Sequence, residues 1–141
     1  MSTRIRWGII GTGRIAGEFA EGLQQIETAE FRSVASRRQE TADAFAHKFG
    51  AAHAYPDYQQ LAEDPEVDVV YVATPHSLHC ENTLLCLKAG KAVICEKPFA
   101  VNGGQVAKMI HVAQKQDCFL MEAMWMRFIP LIREARRLIS S

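Results

Sequence analysis

Short apolar runs along the chain are followed, again and again, by stretches whose apolar residues recur every three or four positions, so strands and helices should alternate. Residues 5–10 form an apolar strand that stops at Gly11, and Ile15, Phe19, Leu23 and Ile26 line one face of a helix over residues 14–26. Residues 31–36 read as a second strand. A second helix follows over residues 39–49, with Ala42, Phe45, Ala46 and Phe49 on one side and Gly50 as its C-cap. Residues 53–55 form a short extended piece, and Asp57 caps a brief helix through Leu61. The β-prone run 67–73, close to Pro65 and Pro75, predicts a buried parallel strand. Then come a helix over residues 79–89 that stops at Gly90, a strand over 92–95, a helix over 102–116, a strand over 118–123 and an amphipathic helix over 128–141. This order predicts an α/β fold, a Rossmann-type doubly wound parallel sheet.

In such a sheet, ligands lie beyond the carboxyl ends of the strands, where Gly11, Ser36, Thr74, Glu96 and Glu122 fall. The first of these ends opens Gly11-Thr12-Gly13-Arg14-Ile15-Ala16, a Gly-x-Gly-x-x-Ala turn between a strand and a helix. Its bare backbone admits a diphosphate, and the amide groups of the helix start at Arg14 and Ile15 face that charge. An acidic residue roughly 20 positions further on would select NAD through the ribose hydroxyls, but none stands there. Ser36-Arg37-Arg38 takes its place, offering a hydroxyl and two guanidinium groups to a 2'-phosphate. The expected cofactor is therefore NADP(H) rather than NAD(H), with NAD the alternative if both arginines merely start a solvated helix.

The 141 residues carry 16 basic and 16 acidic side chains, so no broad electrostatic footprint for nucleic acid or an acidic membrane is present. No apolar run approaches the ~20 residues needed to span a bilayer, and no secretory leader precedes the first strand. The expectation is a cytoplasmic protein. Cys80, Cys86, Cys95 and Cys118 lack metal-ligand or redox-pair spacing and read as buried thiols. His76 and His79 stand three apart without a third ligand, so no metal is expected, and His47 and His111 read as helix-surface residues.

Gly11-Thr12-Gly13, Ala73-Thr74-Pro75-His76-Ser77-Leu78-His79, Gly90-Lys91 and Glu96-Lys97-Pro98 occur in an order that resembles the glucose-fructose oxidoreductase / inositol dehydrogenase / MocA family. The segment from Leu120 to Pro130 is most similar to the branch with dimeric dihydrodiol dehydrogenases and sugar oxidoreductases. The resemblance implies that Lys97 moves a proton to or from a small hydroxy or carbonyl substrate while nicotinamide carries the hydride. It also implies that Thr74, Pro75 and His79 line the cofactor crossover, that Glu96 lies near the ribose and steadies Lys97, and that Trp125 and Arg127 approach the nicotinamide end. Family members carry a further C-terminal α/β domain with no counterpart here. The expected division is a nucleotide-binding domain over residues 1–124 and a crossover helix over residues 125–141. Two functional readings stand: an oxidoreductase for a cyclic diol, sugar or related hydroxy compound, whose nucleotide-binding half by itself has little turnover, and a non-catalytic dinucleotide sensor or regulatory module. The apolar face of the last helix makes a homo-oligomer a further expectation.

Overall fold

The computed structural model describes residues 4–140. Six parallel strands form one sheet in the order β3-β2-β1-β4-β5-β6, with β1 Ile5–Ile10, β2 Ala29–Ala35, β3 His53–Tyr55, β4 Val69–Val72, β5 Ala92–Cys95 and β6 Leu120–Glu122. The helices are α1 Arg14–Leu23, α2 Gln39–Phe49, α3 Tyr58–Glu63, α4 His79–Lys88, α5 Gly103–Lys115 and α6 Pro130–Ile139. Single turns of tighter helix stand at His76–Leu78 and Trp125–Phe128. The chain moves outward from β1 to β3, crosses back, and moves outward again from β4 to β6. The predicted doubly wound architecture is what forms.

Strand side chains alternate between two cores because successive residues point to opposite faces. Ile10, Val70, Val72, Val93 and Cys95 pack with Leu61, Leu84, Leu87 and Met109 from α3, α4 and α5. Ile9, Val34 and Tyr71 pack with Ala16, Ala20, Leu23, Phe45 and Phe49 from α1 and α2. Fully burying side chains of this size stabilises by about 1.5–3 kcal/mol each. Tyr71 also stacks on Phe19 with ring centroids 3.8 Å apart, an arrangement worth about 0.5–1.5 kcal/mol beyond its area.

Several boundaries differ from the sequence expectation for identifiable reasons. Helix α1 ends at Leu23 rather than residue 26, because Gln25 N–H turns back to the Gly22 carbonyl and Ile26 emerges half exposed. Strand β2 starts two residues early, since backbone pairing with β1 begins at Ile5 and Ala29 and the Glu30–Arg32 ion pair shields its charged end. It also stops at Ala35, leaving Ser36 just beyond. The final helix begins at Pro130 rather than residue 128, because Pro130 suits the first helical turn and holds Ile129 extended. Ser141 lies outside the described residues, as do residues 1–3. Asp57 and Asn102 cap α3 and α5 by accepting the Gln60 and Gln105 amides. Of the four cysteines, Cys118 is only half buried, because it stands in the connection two residues before the edge strand β6; burial pushes the Cys86 and Cys95 thiols up to about 12.

A polar network ties α3 to the start of β4. Asp64 accepts from Ser33 Oγ at 2.6 Å, the Glu66 amide at 2.8 Å and Tyr55 OH at 3.1 Å, with His53 Nδ1 at 3.3 Å. Lys91 Nζ donates to the Asp64 and Val67 carbonyls. Burial pushes the Asp64 carboxyl up, but the hydrogen bonds from Ser33, the Glu66 amide, His53 and Tyr55 outweigh it and hold the group below its ordinary value. A carboxyl depressed in this way contributes stability that is present above the unfolded pKa and lost as pH falls through the folded one. Asp64→Asn should lower stability at neutral pH by about 2 kcal/mol and flatten the acid limb below about pH 4, as read by denaturant titration at several pH values.

Candidate functional site

The strand order reverses between β1 and β4, and there the two backbones nearly touch. Gly11 has φ +103°, and a Cβ on it would lie 2.7 Å from the Ala73 carbonyl oxygen and 3.3 Å from the Thr74 nitrogen. Its own amide donates to the Ala35 carbonyl, while the Ala73 amide donates to that of Ile10. Position 11 therefore admits no side chain for both conformational and spatial reasons. Gly13 differs: a Cβ there would meet nothing within 4 Å, and its φ of −78° suits any residue.

Gly13 is the N-cap of α1 and makes no side-chain cap bond. The first amides of the helix, at Arg14, Ile15 and Ala16, thus lack an intrahelical acceptor and point outward beside open space. That bare cradle fits the diphosphate of a dinucleotide. Fully buried Ala16 holds the helix start against the sheet. Gly17, which the sequence reading did not single out, is buried too, 3.2 Å in Cβ terms from the Phe49 ring; its place one turn after Gly13 on the apolar face was the available signal. The Arg14 side chain pairs with Glu18 at the surface.

The next strand end is that of β2. Ser36 is buried, its hydroxyl 3.4 Å from that of Thr12 across the phosphate turn. Arg37 and Arg38 are exposed, and neither guanidinium makes a hydrogen bond or ion pair among the described residues. Arg38 is the N-cap of α2, with acidic Glu40 in the first turn. Positive charge at a helix start is unfavourable by itself. Both guanidinium groups are therefore available to an anion beside Ser36.

After β4, the Thr74 hydroxyl accepts from Asn82 Nδ2 at 3.1 Å. Buried His79 lies 2.9 Å through Nε2 from the Thr74 carbonyl and 2.8 Å through Nδ1 from that of Pro98, linking the loops after β4 and β5. Pro75 and His76 are exposed. After β5, Glu96 is buried and accepts from Tyr71 OH at 2.5 Å and from the Lys97 amide at 3.0 Å. Burial, then this bond to Glu96, pushes the Tyr71 hydroxyl pKa far up, so Tyr71 is the donor. Glu96 steadies Lys97 through its backbone, not through an ion pair with the ammonium. Lys97 itself is exposed.

Lys97 stands at the mouth of an open trough of about 560 Å³, whose apolar lining includes Ile15, Phe19, Tyr71, Ile94, Met121 and Trp125. Helices α1 and α2 cover β1 to β3, and the trough is the part of the same sheet face that they leave open. Trp125 belongs to it. Of the anticipated positions, Arg14, Ile15, Glu96, Lys97 and Trp125 line it, whereas Arg127, two residues after Trp125, does not. Apart from this region, His53, Asp64 and Glu66 offer ligand atoms within 4.8 Å of one another, a grouping the sequence reading missed because the residues come from β3 and a loop. The Asp64 oxygens there already accept several donors, and Arg32 pairs with Glu66.

Residues 5–124 match the family GFO_IDH_MocA, described as an oxidoreductase family with an NAD-binding Rossmann fold. The chain belongs to that family. Among curated relatives in the Gfo/Idh/MocA family, trans-1,2-dihydrobenzene-1,2-diol dehydrogenase of Mus musculus is 44% identical over 137 residues, 96% of this chain and 41% of the relative. The enzyme of the same name from Danio rerio is 45% identical over 138 residues, again 96% and 41%. This chain thus spans about two fifths of the length of the curated relatives it matches. Among solved structures, KijD10, a 3-ketoreductase from Actinomadura kijaniata in complex with TDP-benzene and NADP, superposes with a TM-score of 0.92 at 32% identity, covering 98% of this chain and 44% of that one. An NAD binding oxidoreductase from Klebsiella pneumoniae gives 0.92 at 31% identity, covering 98% and 39%.

In this Gfo/Idh/MocA member the two glycines of the turn should respond differently to substitution. Gly11→Ala should cost at least about 2 kcal/mol of stability, from backbone strain and the clash with Ala73. Gly13→Ala should stay within about 1 kcal/mol of the unmodified protein yet weaken binding of a nicotinamide dinucleotide by at least about tenfold, by filling the diphosphate's approach. Thermal denaturation and nucleotide fluorescence titration measure the two effects separately.

Proposed function

We propose that this chain is the nucleotide-binding part of an NADP(H)-dependent oxidoreductase acting on a cyclic diol, sugar or related hydroxy compound. The backbone of Gly11, Thr12, Gly13, Arg14 and Ile15 holds the diphosphate, and Ser36, Arg37 and Arg38 hold a 2'-phosphate. Thr74, Pro75, His79 and Glu96 border the path of the nucleotide toward the trough. When bound, the nicotinamide supplies or accepts a hydride. Lys97 exchanges a proton with the substrate hydroxyl or carbonyl oxygen, and Trp125 flanks that end. Residues 1–124 act as the nucleotide-binding unit and residues 125–141 as the lead-out from it, so the 141-residue chain binds nucleotide with little turnover of its own.

The observation that carries this reading is the coincidence, at one edge of the sheet, of a cap-free helix start, two arginines without carboxylate partners, and a lysine at the mouth of an apolar trough. The relatives' names support hydride exchange with a diol, and the KijD10 complex supports NADP as the class of cofactor. A sensor that only bound the nucleotide would have no use for an amine at the trough mouth. Titration of the purified chain should show saturable NADPH binding at least about tenfold tighter than NADH, the scale of a charge-assisted phosphate contact. Arg37→Ala should bring the two affinities within about threefold of each other. Equal binding of both nucleotides by the unmodified chain would remove the role given to Arg37.

A further inference from the structure

The loop that carries Lys97 is gripped on one side by Glu96, itself held by Tyr71, and on the other by Glu122. On one side, the Lys97 amide donates to Glu96 Oε2 at 3.0 Å, and Glu96 Oε1 accepts from Tyr71 OH at 2.5 Å. Tyr71 is 2% exposed and stacked on Phe19, so its hydroxyl is fixed by the β4 core rather than by the loop. On the other side, the Phe99 amide donates to Glu122 Oε1 at 2.9 Å. Glu122 is the last residue of β6 and the register partner of Cys95, so its carboxylate too is carried by the sheet. The Phe99 N–H and the Pro98 carbonyl belong to one peptide plane, and that carbonyl faces His79 at 2.8 Å. The plane is held at both polar atoms.

Lys97 and Pro98 are exposed, so water was at hand to satisfy these backbone groups. Instead Glu96, Glu122 of β6 and His79 at the start of α4 each commit a polar side chain to them, and Tyr71 of β4 holds Glu96 in place. Bringing two carboxylates to one short loop carries a desolvation and repulsion cost, which positional control of Lys97 offsets. The geometry points to Tyr71 and Glu122 as positioning residues for Lys97, Tyr71 through Glu96 and Glu122 through the peptide between Pro98 and Phe99. This rests on the reading of Lys97 as the proton-exchanging group. Tyr71 and Glu122 set where its ammonium lies relative to the bound nucleotide, and they do not themselves touch the reacting atoms.

The test uses the 141-residue chain and two readouts: amide hydrogen exchange at Lys97 and Phe99, and the rate of Lys97 acylation by an amine-directed ester, followed by mass spectrometry with and without saturating NADPH. In the unmodified chain NADPH should slow acylation of Lys97 by at least about tenfold, a shielding that needs the ammonium held in one orientation. Tyr71→Phe keeps the ring stack and should speed exchange at Lys97 by about tenfold, and Glu122→Ala should do so at Phe99. In both variants the protection should fall below about threefold, and in Glu122→Ala, whose residue stands outside the trough, the NADPH dissociation constant should stay within about threefold of the original because the phosphate contacts lie elsewhere. Glu122→Gln keeps an oxygen acceptor and should restore protection.

Full protection in Tyr71→Phe and Glu122→Ala would overturn the proposal, as would unchanged exchange at the two amides. Loss of nucleotide affinity together with protection in Glu122→Ala would make Glu122 structural and overturn it as well. If NADPH binds the unmodified chain without shielding Lys97, the role of Lys97 itself fails. That result is read in the unmodified protein, apart from either variant.

Discussion

The structure depends on one close approach: the backbone of Gly11, leaving β1, against the carbonyl of Ala73, leaving β4. At 2.7 Å from a notional Cβ, nothing larger than hydrogen fits, and the strands that meet there begin the two halves of the sheet. From this point the chain turns into α1 without a side-chain cap, and an uncapped start leaves its amides for an external acceptor. The glycine that the fold demands, Gly11, and the open position Gly13 at the uncapped helix start therefore stand two residues apart.

The doubly wound order also explains where the chemistry stands. Helices α1 and α2 cover β1 to β3 on one face, α3, α4 and α5 cover the other, and the β4 to β6 part of the first face is left as the apolar trough. Lys97 is placed at its mouth because β5 ends there, and the trough aligns with the phosphate turn because β1 and β4 are neighbours. Helix α6 has no buried residue, and Leu131 and Ile139 are 76% and 86% exposed, so its apolar stripe adds little to either core.

Much of this was legible in the residue order. Runs such as 39–49 and 53–55 matched to the residue because Gly50 and the short β-prone segment marked their ends locally. The phosphate turn was legible because its mechanism requires particular residues at fixed spacing. Boundaries set by pairing partners were not: β2 starts at Ala29 because Ile5 pairs with it, a relation across 24 positions that no local pattern records. The same holds in the site. Lys97 could be singled out within Glu-Lys-Pro, but the grip of Tyr71 and Glu122 on its loop joins three strands and emerges only from the register. That Glu96 steadies Lys97 was implied by the resemblance, but not how: the folded chain turns that carboxylate inward to the Tyr71 hydroxyl and the Lys97 backbone amide.

The central claim is that a nicotinamide dinucleotide lies across the carboxyl ends of the parallel strands, from Ser36 over the phosphate turn to Lys97. A titration of the isotopically labelled chain with NADPH, followed residue by residue through its amide resonances, tests it most directly. The account predicts saturable shifts concentrated at residues 11–16, 36–38, 74–79 and 96–99, with the His53, Asp64 and Glu66 cluster undisturbed. Shifts centred anywhere else, or no saturable shifts from a folded sample, would contradict it.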